Sequence, residues 1–255
     1  MLMDTAELTN SNLGGLGPSG GPAEMRLANV AHIGGRQIDL SFTTIGPYTP
    51  NNVFANRLNG KFASINLMVG QEVELQATFL DAATGEPVVV DSFEISFLDL
   101  DEAVNGYERE TIISGDHDAY AVVRDSEVMV TESDGRAAFS SSTSGDGGDN
   151  PYDPTELTAL QAKRTVSLSF SNRAFFNVKL KVGADASGEG RWGRNFLIAG
   201  ATFDLPECQP PPAPPSPPSP PRTPPPPSPP PPFSPPPPPL PPPPSPEPPQ
   251  MPPSP

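Results

Sequence analysis

Apolar and polar residues alternate with a period of two through most of the chain before residue 200. Alternation of this kind marks strands with one buried face. It is strongest at Phe93, Ile95 and Phe97, which interleave with Glu94 and Ser96. The same pattern recurs at Ile38, Leu40 and Phe42 in 37–45, and at Ile65, Leu67 and Val69 in 61–69. Val73, Leu75, Ala77 and Phe79 repeat it in 72–80, as do Val166, Leu168 and Phe170 in 165–171, and Phe176, Val178, Leu180 and Val182 in 175–182. Further strands are predicted over 26–33, 88–98, 109–114, 119–124, 127–131, 136–140 and 195–205.

Gly34-Gly35 joins the first two strands, and Gly70-Gln71 is read as the turn of a hairpin between 61–69 and 72–80. One helix is predicted. It starts at Asp153-Pro154-Thr155-Glu156, a capping-box pattern with proline in the first helical position, and runs through Leu157 and Leu160 to about Lys163. Many short strands and one brief helix define an all-β chain, a jelly-roll or Greek-key β-sandwich.

Proline usage sets the limits of that domain. Of the 40 prolines, 33 lie from Pro206 onward. The tail has no apolar stripe to bury and is read as a polyproline II rod over 206–255. Fifty residues at about 3.1 Å each would reach roughly 150 Å. The sandwich is assigned to 23–205, and it is expected to fold without the tail. Asn12 to Pro22 is rich in glycine and proline, so 1–22 is taken as a flexible N-terminal segment.

Charge then narrows the partners. The formal net charge is -15, nearly all of it outside the tail. Such a chain repels nucleic acid and anionic lipid headgroups and attracts cations. No apolar run approaches membrane-spanning length, and Met1 to Asn10 lacks the basic and apolar parts of a secretory signal. The chain is therefore read as an extracellular or cell-wall fragment without its signal peptide, with a cytoplasmic protein as the alternative. The single cysteine, Cys208, stands between the last strand and the rod. In an oxidising compartment it would link two chains through a disulfide.

The densest carboxylate cluster follows the strand at Phe93. Asp99, Asp101, Glu102, Asn105, Glu108, Glu110, Asp116 and Asp118 offer the hard oxygen ligands that calcium takes in sets of six to eight. Counted from Asp99, Asp101 and Glu110 hold the third and twelfth positions of an EF-hand loop. Ala103 and Val104 stand where that loop needs a ligand and a glycine, which excludes it. A calcium site at a sandwich rim remains, with Asp99, Asp101, Glu102, Asp116 and Asp118 as its candidate ligands; the alternative is a solvated acidic loop. His117 is read as a polar loop residue, since two histidines without a cysteine make a poor zinc site. Gly190-Arg191-Trp192-Gly193-Arg194 carries the only tryptophan. Trp192, Arg191 and Arg194 are candidate ligand-binding residues, the ring for stacking on a sugar and the guanidiniums for its hydroxyls; packing of the tryptophan is the plainer alternative.

No P-loop sequence occurs. Glu94 to Asp99 resembles the strand motif Glu-Ile-Asp-x-x-Glu of jelly-roll glycoside hydrolases, but Ser96 and Asp99 replace its second and third carboxylates. In the tail, Pro214-Pro-Ser-Pro-Pro-Ser-Pro220 and Ser228-Pro-Pro-Pro-Pro232 resemble the hydroxyproline-rich rods of algal and plant wall glycoproteins, including the pherophorins. That resemblance covers the tail alone. It implies hydroxylated, arabinosylated prolines and a rod that spaces a globular head.

The combined reading is a non-enzymatic extracellular or cell-wall protein. Its sandwich binds glycan or a matrix protein, with calcium as the candidate cofactor. Two alternatives stay open: an intracellular protein whose Phe233 to Leu240 segment resembles profilin- and SH3-binding sequences, and a degenerate jelly-roll glycosidase.

Overall fold

The computed structural model describes residues 5–187 and 192–200. The chain divides into two units, Met1–Ala213 and Pro214–Pro255. The rod assigned to 206–255, with Cys208, lies outside the described residues, as does Arg191.

Fourteen strands form among the described residues. They are β1 (Glu7–Ser11), β2 (Met25–Ile33), β3 (Arg36–Ile45), β4 (Arg57–Asn59), β5 (Phe62–Met68), β6 (Glu72–Asp81) and β7 (Val90–Leu98). The second half adds β8 (Glu110–Ser114), β9 (Ala119–Ala121), β10 (Val128–Ser133), β11 (Arg136–Ser141), β12 (Val166–Arg173), β13 (Phe175–Val182) and β14 (Gly193–Ala199), with the helix α1 (Ala159–Lys163) before β12. One sheet has eight strands in the order β1-β2-β3-β6-β13-β8-β11-β10, and the other six, β4-β5-β14-β7-β12-β9. The ladders are antiparallel throughout. The all-β sandwich expected from the alternation is the fold observed.

The apolar parities face each other across the two sheets. Phe42, Leu75, Phe79 and Phe176 from the larger sheet meet Ile65, Phe93, Ile95, Leu168 and Phe196 from the smaller one in a single core. At its centre Phe93 stacks on Phe170 with ring centroids 4.9 Å apart, and Phe79 and Phe176 close on Phe93 at 4.7 and 5.7 Å.

The smaller sheet is covered on its other face too. Pro151 and Pro154 are buried, and Leu157 packs on Phe62, Leu98, Leu197 and Ala199, residues of the opposite parity to the core set. Ala162 of α1 packs beside Val123. The segment 142–158 thus forms a partial third layer over Phe62 at the start of β5, while Tyr48, Asn51, Asn52 and Asn56 hydrogen-bond Asn66 further along the same strand.

Three expectations are corrected. The turn at Gly70-Gln71 does not close a hairpin: β5 pairs with β4 and β14, while β6 pairs with β3 and β13 in the other sheet. The chain crosses the sandwich there, so the two apolar faces meet through the core instead of side by side. The helix begins later than expected. Thr158 is its N-cap and Gln161 completes the capping box, whereas Asp153 accepts from the amide and hydroxyl of Thr155 in a local turn. The N-terminal segment expected to be flexible is part of the fold. β1 lies at the sheet edge on β2, and Leu13 is fully buried. The glycine- and proline-rich loop is closed around Asn12, whose side chain donates to the Gly21 and Pro22 carbonyls and accepts from the Gly17 amide. Those bonds satisfy backbone groups that composition alone leaves open.

Candidate functional site

The site forms where β7 leaves the core. Asp99 has φ of 62°, a left-handed conformation that Asp tolerates better than most residues, and it ends the strand after Leu98. Leu100 dips back into the core, and Asp101 follows it almost fully buried. The start of β8 brings in Glu110, the start of β14 brings in Arg194, and the loop before α1 brings in Asp149. Carboxylate oxygens of Asp99, Asp101 and Asp149 lie within 4.8 Å of one another. Asp99 and Asp101 also line an open cavity of about 210 Å³ whose wall includes Glu110, Asp146, Asn150 and Asn195.

Two arginines hold this cluster from behind. Arg194 donates from Nη1 to Asp101 Oδ1 at 2.9 Å and forms an ion pair with Glu108 at 3.4 Å. Arg164, with its side chain only 7% exposed, donates to Glu127 Oε2 at 2.9 Å, to the Ser144 carbonyl at 3.0 Å and to Asp149 Oδ2. Gly145 is pressed against the same group, leaving no room for a side chain: a Cβ there would stand 1.9 Å from Asp101 Oδ2 and 2.6 Å from Arg164 Nη1.

Glu110 is 3% exposed, and its Oε2 accepts one long bond, 3.4 Å, from the Asp101 amide. Asp99 accepts no hydrogen bond among the described residues. Burial therefore dominates the electrostatics. It pushes Asp99 up to about 7, with Asp101 and Asp149 adding repulsion, and Asp101 up to about 6 against the pull of Arg194 and Arg164. Burial and the neighbouring Asp101 drive Glu110 well above the usual carboxylate range.

A pH dependence follows for the protein in chelator, which should be more stable at pH 5 than at pH 8. Asp99 and Asp101 keep protons in the folded chain that the unfolded chain, titrating near 3.9, releases. Their contribution is full below about pH 4 and is lost as pH rises through about 6 to 7, a difference on the order of 3 kcal/mol. His117 acts oppositely. Burial lowers its pKa, so its share is full above about 6.5 and is lost as pH falls below that through the lowered folded value. Urea titrations of the wild type and Asp99→Asn across pH 5 to 8 separate the two. The variant should show a flatter profile, and an unchanged slope would place the effect elsewhere.

Of the five ligands suggested for calcium, only Asp99 and Asp101 meet in the cavity. Glu102 is buried but turned to Arg109, whose Nε donates to it at 2.7 Å. Asp116 accepts from the amide and the Nδ2 of Asn177, both at 2.9 Å, and Asp118 pairs with Arg173 in a more exposed position. Both lie past the far end of β8, a strand length of roughly 15 Å from Glu110. Asp149, 48 positions after Asp101, joins the site through folding alone. Trp192 is 67% exposed next to Gly193 in the cavity wall, so its indole is neither core nor lid packing. Arg194, expected to reach for a sugar hydroxyl, is committed to Asp101 and Glu108. Glu94 accepts from Ser169 Oγ at 3.3 Å and is not part of the cavity wall, so it forms no carboxylate pair with Asp99. Among the described residues no helix is long and apolar enough to cross a membrane.

No family model matches the chain, and no curated protein matches it. Among solved structures, the chain is similar to the N-terminal domain of the Streptococcus gordonii adhesin Sgo0707, at 10% identity and a TM-score of 0.45 over 79% of this chain and 49% of that one. It is also similar to the adhesin domain of PrgB from Enterococcus faecalis bound to DNA, at 15% identity and a TM-score of 0.41 over 69% of this chain and 66% of that one. The match thus spans about half of the first structure and just under two thirds of the second. Neither likeness assigns a residue or a ligand to this chain.

Proposed function

We propose that this protein is a non-enzymatic binding module of a cell surface or wall, which recognises glycan at the rim cavity. The observation that carries the reading is the exposed Trp192, one position before Gly193 in the wall of a cavity lined by carboxylates and the amides Asn150 and Asn195. A sugar ring has an apolar face of C–H groups that stacks on an aromatic ring, and a rim of hydroxyls that donate to carboxylates and bond with amides. Asp101 is held by Arg194 and Glu110 is buried, an arrangement suited to fixed recognition. The sequence of the proline-rich tail supports a surface location in a second way, since its Pro-Pro-Ser units resemble those of glycosylated wall proteins.

Binding of the full chain to immobilised glycans is the test. At least one class should bind, and Trp192→Ala should weaken it by roughly tenfold or more, in line with the loss of one aromatic contact. The melting temperature should not change, because the ring is exposed. Absence of binding to any glycan, or binding indifferent to Trp192, would overturn the proposal.

A further inference from the structure

We infer that a second cavity, on the outer face of the larger sheet, is a binding site for a small zwitterion of the α-amino acid class. It has a volume of about 160 Å³ and lies toward the end of β8 opposite the rim. The ladders set its wall. Lys179 of β13 stands opposite Glu74 of β6 on one side and Ile113 of β8 on the other, so the three side chains share a face. That face points away from the core, since Val178 and Leu180, of the opposite parity, are buried in it. Two positions along β13, Asn177 donates from its amide and from Nδ2 to Asp116 Oδ2, both at 2.9 Å, and accepts from Gln76 Nε2. Arg136, at the start of β11, lies across Gly115: a Cβ there would stand 3.1 Å from the arginine Cγ. The cavity wall thus combines the apolar Ile113 with two acids, Glu74 and Asp116, and two bases, Arg136 and Lys179.

What points to a ligand is how these charges are left. Lys179 is paired with Glu72, which is not part of the wall. The guanidinium of Arg136, the carboxylate of Glu74 and Asp116 Oδ1 have no hydrogen-bond or ion-pair partner among the described residues, although they share one small cavity. Unlike charges that face the same space without pairing leave a gap between them. A molecule with a carboxylate and an ammonium a few ångströms apart fits that gap. Its carboxylate would take the fork of donors on Arg136, and its ammonium would donate to Glu74 and Asp116 Oδ1. Charge selects among ligands as well. The wall balances two acids against two bases, so neither a lone anion nor a lone cation matches it. A chain of net charge -15 also repels a simple anion, whereas a zwitterion is neutral and brings only its dipole. Ile113 and the small volume favour a short aliphatic side chain. The site is separate from the rim cavity and does not depend on the glycan reading.

The experiment titrates the isotope-labelled full chain with L-alanine at neutral pH and constant ionic strength, and follows the backbone amide resonances. Saturable shifts should appear at residues 113–116, 136 and 177–179. N-acetyl-L-alanine lacks the ammonium and L-alanine methyl ester lacks the carboxylate. Each should bind roughly tenfold more weakly or worse, the loss of one charge-assisted contact. Arg136→Ala and Glu74→Gln should each weaken L-alanine binding by a similar factor, and Trp192→Ala should leave it unchanged. Absence of saturable shifts, shifts confined to other parts of the chain, or equal binding of alanine and its two derivatives would overturn the site. The comparison of the three ligands is made on the wild type, so misfolding of a variant leaves the test intact. Glycan enters none of these measurements. Alanine binding without glycan binding would fail only the earlier proposal, and glycan binding without alanine binding would fail only this one.

Discussion

Arg164→Ala should destabilise the protein by about 3 to 5 kcal/mol and lower its melting temperature by roughly 10 °C. The guanidinium is nearly buried and serves Glu127, Asp149 and the Ser144 carbonyl at once. Removing it strands two carboxylates in a region that already contains Asp99, Asp101 and Glu110, so the loss is the cost of uncompensated charge as well as of missing bonds. Arg164→Lys should recover little, since one ammonium cannot span three acceptors in the plane of a guanidinium. The contrast is Lys179→Ala. Its partner Glu72 is 3.0 Å away, but Glu72 is well exposed and Lys179 partly so, and the change should stay within about 0.5 kcal/mol. Denaturant titrations of the three variants decide the matter. A loss below about 1 kcal/mol for Arg164→Ala would mean that the cluster is not held as described.

Phe170→Ala should cost a similar amount, about 3 to 5 kcal/mol, through a different mechanism. The ring stacks on Phe93 at 4.9 Å with only 13° between the planes, and lies 4.8 Å from Phe176. Removing it leaves a cavity between two sheets whose spacing is fixed by their own ladders, so little collapse can fill the space. Phe175, one position before Phe176 on the outward parity, is 47% exposed. Phe175→Ala should be close to neutral. If both phenylalanine variants unfolded at the same denaturant concentration, the assignment of faces on these strands would be wrong.

The faces of the strands were legible because a period of two reports burial directly. Which strands pair was much less so. Ile65 and Leu67 carry the same pattern as Val73 and Leu75 whether the two strands lie side by side or face each other, and the structure takes the second course. β1 and β4 gave no signal, since Glu-Leu-Thr-Asn-Ser and Arg-Leu-Asn are short, polar edge strands. For the site, the strand parity ending at Phe97 pointed to Asp99 and Asp101, which line the cavity. It carried no information on Asp149, which is far along the chain in a Ser/Gly/Asp loop and arrives by way of Arg164. The inclusion of Asp116 and Asp118 followed from closeness in sequence, which β8 converts into separation in space. Thr158 and Gln161 also form a capping box by spacing, but the Asp-Pro pair before them gave the louder local signal.

The last described strand, β14, lies inside its sheet, bonded to β5 on one side and β7 on the other. Whatever follows residue 200 hangs from that strand. A pull along it must slide β14 past two ladders, breaking many bonds together, whereas a pull on β1, at the margin of the other sheet, can peel one ladder a bond at a time. The domain is therefore built as a mechanically one-sided coupling: firm when loaded from its C-terminal end, and yielding first from its N-terminal end.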